Sequence, residues 1–88
     1  MAALSKHIEL EIKTTSGHFS HGFDTQATAQ DVLDQAIKHF RLHEGGGVSY
    51  SLRLERNGQQ LALGESLQDL GLREHDVVIV QTNQAQDG

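Results

Sequence analysis

The sequence predicts an α+β fold: a mixed sheet of four to five strands with one long helix packed across it. Three observations predict it. Residues 7–13, "HIELEIK", alternate apolar and polar without a break. Residues 28–42, "TAQDVLDQAIKHFRL", switch to helical spacing. Residues 76–82, "DVVIVQT", are apolar on both faces at their centre. A period of two marks half-buried strands, a period near 3.6 marks a helix, and a short doubly apolar run suits a central strand. Strands and one helix in one short chain bury their apolar faces best as a helix laid on a sheet.

In the first strand, Ile8, Leu10 and Ile12 share the buried face, and Glu9, Glu11 and Lys13 the outer one. "TTSG" at 14–17 reads as a turn with a glycine bulge. "HFSHGFDT" at 18–25 returns as an antiparallel strand with Phe19, His21 and Phe23 facing inward. Gly22 weakens it and suggests a second bulge. His21 is expected to be partly buried among the two Phe.

In the helix, Val32, Leu33, Ala36, Ile37 and Phe40 form one stripe. Thr28 is a suitable N-cap, Asp31 suits the positive end of the helix dipole, and Lys38, His39 and Arg41 suit the other end. "EGGG" at 44–47 stops the helix. It lacks the lysine and the strand-to-helix placement of a phosphate loop.

Residues 50–56, "YSLRLER", alternate with Tyr50, Leu52 and Leu54 inward. "NG" at 57–58 predicts a type I′ turn, in which both central residues take positive φ. "QQLAL" at 59–63 is a short returning strand. In "ESLQDLGL" at 65–72, Ser66 caps a single helical turn, Leu67 and Leu70 plug the core, and Gly71 makes a left-handed exit. The first and last strands are expected side by side in the middle, with the hairpins outside. The domain is read as 7–82, between a flexible N-terminus at 1–6 and a flexible tail at 83–88.

Composition narrows the function classes. The 88 residues contain no Cys, which removes disulfides and thiolate chemistry and suits a reducing cytoplasm. A formal charge of −5 argues against nucleic acid or an anionic membrane as partner. The start, "MAALSKHIELEI", reads as neither signal peptide nor anchor. A chain this small has no room for a deep active-site cavity, so neither catalysis nor a cofactor is expected. His39 and His43 have i,i+4 spacing, but off the apolar stripe, where a solvated face is the simpler reading. His18 and His21 point to opposite faces of their strand, so no metal site is expected.

The order of elements, Gly17 at the first hairpin, "TAQDV" (28–32), "NGQQL" (57–61) and above all "GESLQDLGL" (64–72) resemble ubiquitin and the ubiquitin-like β-grasp fold. The resemblance spans about residues 6–83. It implies a divergent ubiquitin-like protein, on the pattern of a prokaryotic-type modifier. Two departures bear on function. Ubiquitin binds most partners through an apolar patch, and the matching positions here, about Thr15, Glu55 and Gln81, are polar. Receptors of that patch are therefore not expected to bind. Such modifiers also usually end in a basic segment with two glycines, whereas this sequence ends "NQAQDG", with Asp87 before Gly88.

The resemblance implies a modifier that is a substrate of other enzymes. An activating enzyme adenylates the Gly88 carboxylate, a cysteine thiolate takes it over, and a target lysine then attacks the thioester. Glycine fits a narrow catalytic channel because it carries no side chain. Asp87, Gln86 and Gln84 are the expected tail-recognition residues, and activating enzymes, conjugating enzymes and target proteins the partners. The alternative is a non-conjugated interaction module in a larger complex. Its partner would read a sheet face made by Arg53, Glu55, Val77, Ile79 and Gln81, where Val77 and Ile79 are apolar yet point away from the helix. Neighbouring side chains shielding that pair is an equal expectation. The chain is expected to be monomeric.

Overall fold

The computed structural model describes residues 7–43, 45 and 47–84, with only the backbone of Gln84. The elements are β1 (His7–Thr14), β2 (Gly17–Asp24), α1 (Ala29–Phe40), β3 (Val48–Leu54), β4 (Gln60–Leu61) and β5 (Val77–Gln84). One sheet holds all five strands in the order β2-β1-β5-β3-β4. β5 runs parallel to β1 and antiparallel to β3, so the first and last strands lie side by side at the centre, as the sequence predicts. Among the described residues no helix is long and apolar enough to cross a membrane.

Alternation decides which side chains meet. Leu10 and Ile12 from β1, Leu52 and Leu54 from β3, and Val78 from β5 are fully buried on one sheet face. Val32 and Leu33 come down on them from α1, and Leu67 closes the core from the segment between β4 and β5. Burying side chains of this size stabilises by about 1.5–3 kcal/mol each.

The helix starts where Thr28 predicts. Its hydroxyl accepts from the Asp31 backbone N–H, and the Asp31 carboxylate accepts in turn from the Thr28 N–H at 3.0 Å. This capping box satisfies two backbone donors that the helix leaves without a partner. The helix ends at Phe40, two residues before the sequence suggests, because Arg41 turns left-handed at φ 56° and its N–H bonds to the Ile37 carbonyl.

Several local expectations need correction. Neither glycine makes a bulge: β1 and β2 pair residue for residue from His7↔Asp24 to Thr14↔Gly17, with Glu9 opposite Gly22. His21 faces inward but is exposed, because β2 is the outermost strand and its ring lies against Phe23, centroids 4.7 Å apart, without being covered. The Asn57–Gly58 connection is not a type I′ turn. Only Gly58 has positive φ (72°), and its N–H reaches back to the Leu54 carbonyl at 2.8 Å, closing a longer loop. β5 runs past residue 82, because Asn83 and Gln84 pair with Ser49 and Val48. The Ser66 turn is as expected: its hydroxyl accepts from Asp69 N–H at 3.1 Å, and Gly71 exits at φ 79°. Leu67 is buried, but Leu70 only half so, and Leu72 takes its place in the core.

Candidate protein-interaction face

Strand pairing puts the predicted face residues together. Ile79 sits between Lys13 of β1 and Arg53 of β3, and Gln81 lies beside Ser51. Val77 lies beside Glu11, and its carbonyl accepts the Glu55 N–H at 2.9 Å. Residues in register share a sheet side, so Arg53, Glu55, Val77, Ile79 and Gln81 form one continuous outer surface. Their origin is the alternation of "VVIVQ": Val78 and Val80 go into the core, and their neighbours go out.

Val77 and Ile79 are neither bare nor covered; both are half-buried. Lys13 Nζ reaches Glu55 Oε2 at 3.2 Å, linking the strands on either side of β5 across this pair. Beside them His18 Nδ1 meets Glu11 Oε2 at 3.0 Å. Arg53 and Glu55 are exposed, and among the described residues Arg53 makes no ion pair. The surface is therefore an apolar strip under polar side chains, with one uncommitted guanidinium beside it.

Sequence reasoning missed a cleft at the end of this strip. Thr14, Thr15, Leu42, Tyr50, Ile79, Val80, Gln81 and Thr82 line an open hollow of about 420 Å³. Thr15 comes from the first hairpin turn, and Leu42 from beyond the left-handed end of α1. The Tyr50 hydroxyl donates to the His43 carbonyl at 3.1 Å, tying the helix exit to β3. No periodicity in the sequence brings such distant segments together.

A second missed feature holds the start of β5. Arg56 grips Asp76 with both ends of its guanidinium, Nε to Oδ1 at 3.1 Å and a terminal nitrogen to Oδ2 at 3.0 Å. That nitrogen also donates to the Gly71 carbonyl, and the Arg73 N–H donates to Asp76 Oδ2 at 2.8 Å. Asp76 is buried. The hydrogen bond from Arg56 holds its carboxyl below the usual carboxylate range, outweighing desolvation, with the Arg73 N–H adding to the effect. The pair fixes the 71–76 loop against the end of β3, and so the register of Val77 and Ile79.

The histidines form no ligand set at the predicted spacing. α1 stops at Phe40, so His43 does not share a helix face with His39, and His39 stacks on Phe19 with centroids 3.9 Å apart. Glu9, Glu74 and His75 bring ligand atoms within 4.8 Å of one another, all exposed; chain separation hid this group from the sequence. Of the tail residues, Gln84 closes β5 with its backbone, while Gln86, Asp87 and Gly88 lie outside the described residues.

No family model matches the sequence, and no curated protein matches it. Solved structures do. A de novo design based on ubiquitin superposes with TM-score 0.74 at 14% identity, covering 93% of this chain and 95% of that one. A structure described as molecular mimicry of SUMO promoting DNA repair gives 0.71 at 19%, covering 90% and 95%. The solution structure of a ubiquitin-like domain from an Arabidopsis thaliana protein gives 0.70 at 22%, covering 98% and 90%. At such identities the likeness establishes the fold: this chain has the ubiquitin-like β-grasp fold.

Proposed function

We propose that this ubiquitin-like domain is a protein-interaction module, read by its partner on the outer face of β1, β5 and β3. It does no chemistry of its own. The observation that carries the reading is the rung Lys13–Ile79–Arg53: a half-buried apolar side chain between two cations, of which, among the described residues, only Lys13 is paired with an acid. A partner that places an apolar side chain over Ile79 and a carboxylate on Arg53 satisfies both. The cleft beside Gln81 gives such a partner a second foothold. With Glu55 and Gln81 polar, this face selects different partners from those that bind the apolar patch of ubiquitin.

The second reading is the conjugated modifier, with the Gly88 carboxylate passed from an activating enzyme to a target lysine. Two observations favour it: the fold, and the central position of β5, which carries the chain through Gln84 toward Gly88. Gly88 is the fourth residue beyond that strand end, a reach of at most about 13–14 Å when extended.

One experiment separates the two. A photo-crosslinking residue at Gln81, in otherwise wild-type, R53E, I79D and Gly88-deleted protein, is activated in the source cells. Products are then identified by mass spectrometry. The module reading expects a cross-linked partner that R53E and I79D lose and the deletion keeps. An isopeptide at Gly88 that disappears on deletion, with the face substitutions without effect, overturns it for the modifier.

A further inference from the structure

Five strands leave two sheet edges, and they are treated differently. β4 is two residues long, too short to template another strand. β2 is eight residues long and unbulged, and among the described residues nothing pairs with its far side. Its sequence, "GHFSHGFD", contains no Lys, Arg or Pro, the residues that usually protect such an edge.

Which backbone groups are free follows from the neighbouring strand. Glu11 N–H donates to the Asp76 carbonyl, and the Glu9 carbonyl accepts from His75 N–H. The odd residues of β1 therefore turn their backbone toward β5. The residues opposite them, His18, Ser20, Gly22 and Asp24, must turn theirs outward, since paired groups alternate along an antiparallel ladder. His21 Nδ1 lies 2.7 Å from the Gly22 carbonyl, as it would beside an acceptor that β1 does not use.

We infer that two copies of this chain join edge to edge through antiparallel β2 strands, with His21 facing His21 of the partner on the twofold axis. This goes beyond the interaction face proposed above, which lies on the sheet surface, and replaces the monomer suggested by the sequence. Only registers that set outward-turned residues against each other can form bonds. Among these, centring on His21 uses the strand from His18 to Asp24. It places Ser20 opposite Gly22 of the partner, two small residues. It places Phe19 opposite Phe23 of the partner, an aromatic cross-strand pair. It also places His18 opposite Asp24 of the partner. His18 spends Nδ1 on Glu11, which leaves Nε2, and Asp24 spends Oδ1 on the Gln26 N–H, which leaves Oδ2. One self-complementary register thus offers backbone and aromatic partners at once, with a further hydrogen bond to Asp24 of the partner when His18 carries both ring protons.

The test uses the full chain. The sequence has no cysteine, so H21C introduces one thiol on the axis. Residues opposite each other in a non-hydrogen-bonded antiparallel pair stand about 4.5 Å apart at Cα, within the span a disulfide bridges. Mild oxidation is expected to convert H21C to a covalent dimer, while Q60C on the β4 edge stays monomeric. Wild-type protein is expected to shift from monomer to dimer mass in sedimentation velocity across the micromolar-to-millimolar range. S20P removes an outward N–H without touching the β1 ladder, so it is expected to stay monomeric with an unchanged circular dichroism spectrum. Wild-type protein that stays monomeric throughout overturns the inference and leaves the edge to a strand of another protein. A dimer that survives S20P, or H21C that cross-links no faster than Q60C, overturns it too.

Discussion

Lys13 Nζ stands 3.2 Å from Glu55 Oε2, and the two residues lie on opposite sides of β5, Lys13 in β1 and Glu55 just past the end of β3. Their link passes over the strip where Val77 and Ile79 emerge. Both side chains are more than two-fifths exposed, so solvent screens the attraction and two long side chains lose freedom to make it. Truncating Glu55 to alanine is therefore expected to cost less than about 1 kcal/mol in a urea titration. The larger effect is on access: Ile79 loses part of its cover, so a partner using this strip should bind E55A at least as tightly as wild type. Weaker partner binding by E55A, measured by titration calorimetry, would place Glu55 itself in the contact.

Acid should act through Asp76. Its folded-state pKa is depressed, chiefly by the Arg56 hydrogen bond. The stability it contributes is present above the ordinary carboxylate pKa and is lost as pH falls through the depressed value. Wild-type protein is expected to lose stability below about pH 4, and D76N to lose less of it over the same interval. At neutral pH, D76A should cost about 1–3 kcal/mol, because the Arg73 N–H loses its acceptor. Urea midpoints from pH 2 to pH 7 measure both. A D76N curve parallel to wild type would show that other carboxylates govern acid unfolding.

What the sequence made legible was whatever depends on local period. Ile8–Ile12, Val32–Phe40 and Leu52–Leu54 each announce their element and its buried face, and Gly71 announces its own backbone conformation. The predicted face residues were also legible, because alternation in "VVIVQ" assigns sides without knowledge of partners. Illegible were features made by long-range closure. Arg56 meets Asp76 across 20 positions, and Thr15, Leu42 and Gln81 form one cleft from three segments. His21 was misread because alternation gives the side of the sheet but not how far the helix extends over it. The Asn57–Gly58 turn was misread because a glycine-containing loop can lengthen while keeping one left-handed residue.

Leu67 tests how much the single helical turn contributes. It is fully buried, between the sheet and the start of α1, and its N–H donates to the Ala27 carbonyl at 2.8 Å. L67A leaves a cavity that backbone fixed on both sides cannot fill. A loss of about 2–5 kcal/mol is expected, a large share of the 5–15 kcal/mol of an ordinary domain. In a chain of this length each kcal/mol lowers the melting temperature by roughly 4–8 °C. A drop of only a few degrees would mean that the 63–72 segment repacks to fill the space.

The capping box at Thr28 couples the helix to the same segment. Thr28 and Asp31 exchange side-chain-to-backbone bonds. Thr28 also bridges Ser66, and the Ala29 N–H donates to the Glu65 carbonyl at 3.1 Å. T28A removes one bond of the box and should cost about 1 kcal/mol, and D31A a similar amount. The two bonds are made by one local geometry, so the T28A/D31A pair is expected to cost less than the sum of the singles. Thermal melts of the four proteins close that cycle. Strict additivity would show that the Glu65 and Ser66 backbone contacts hold the helix start without the box.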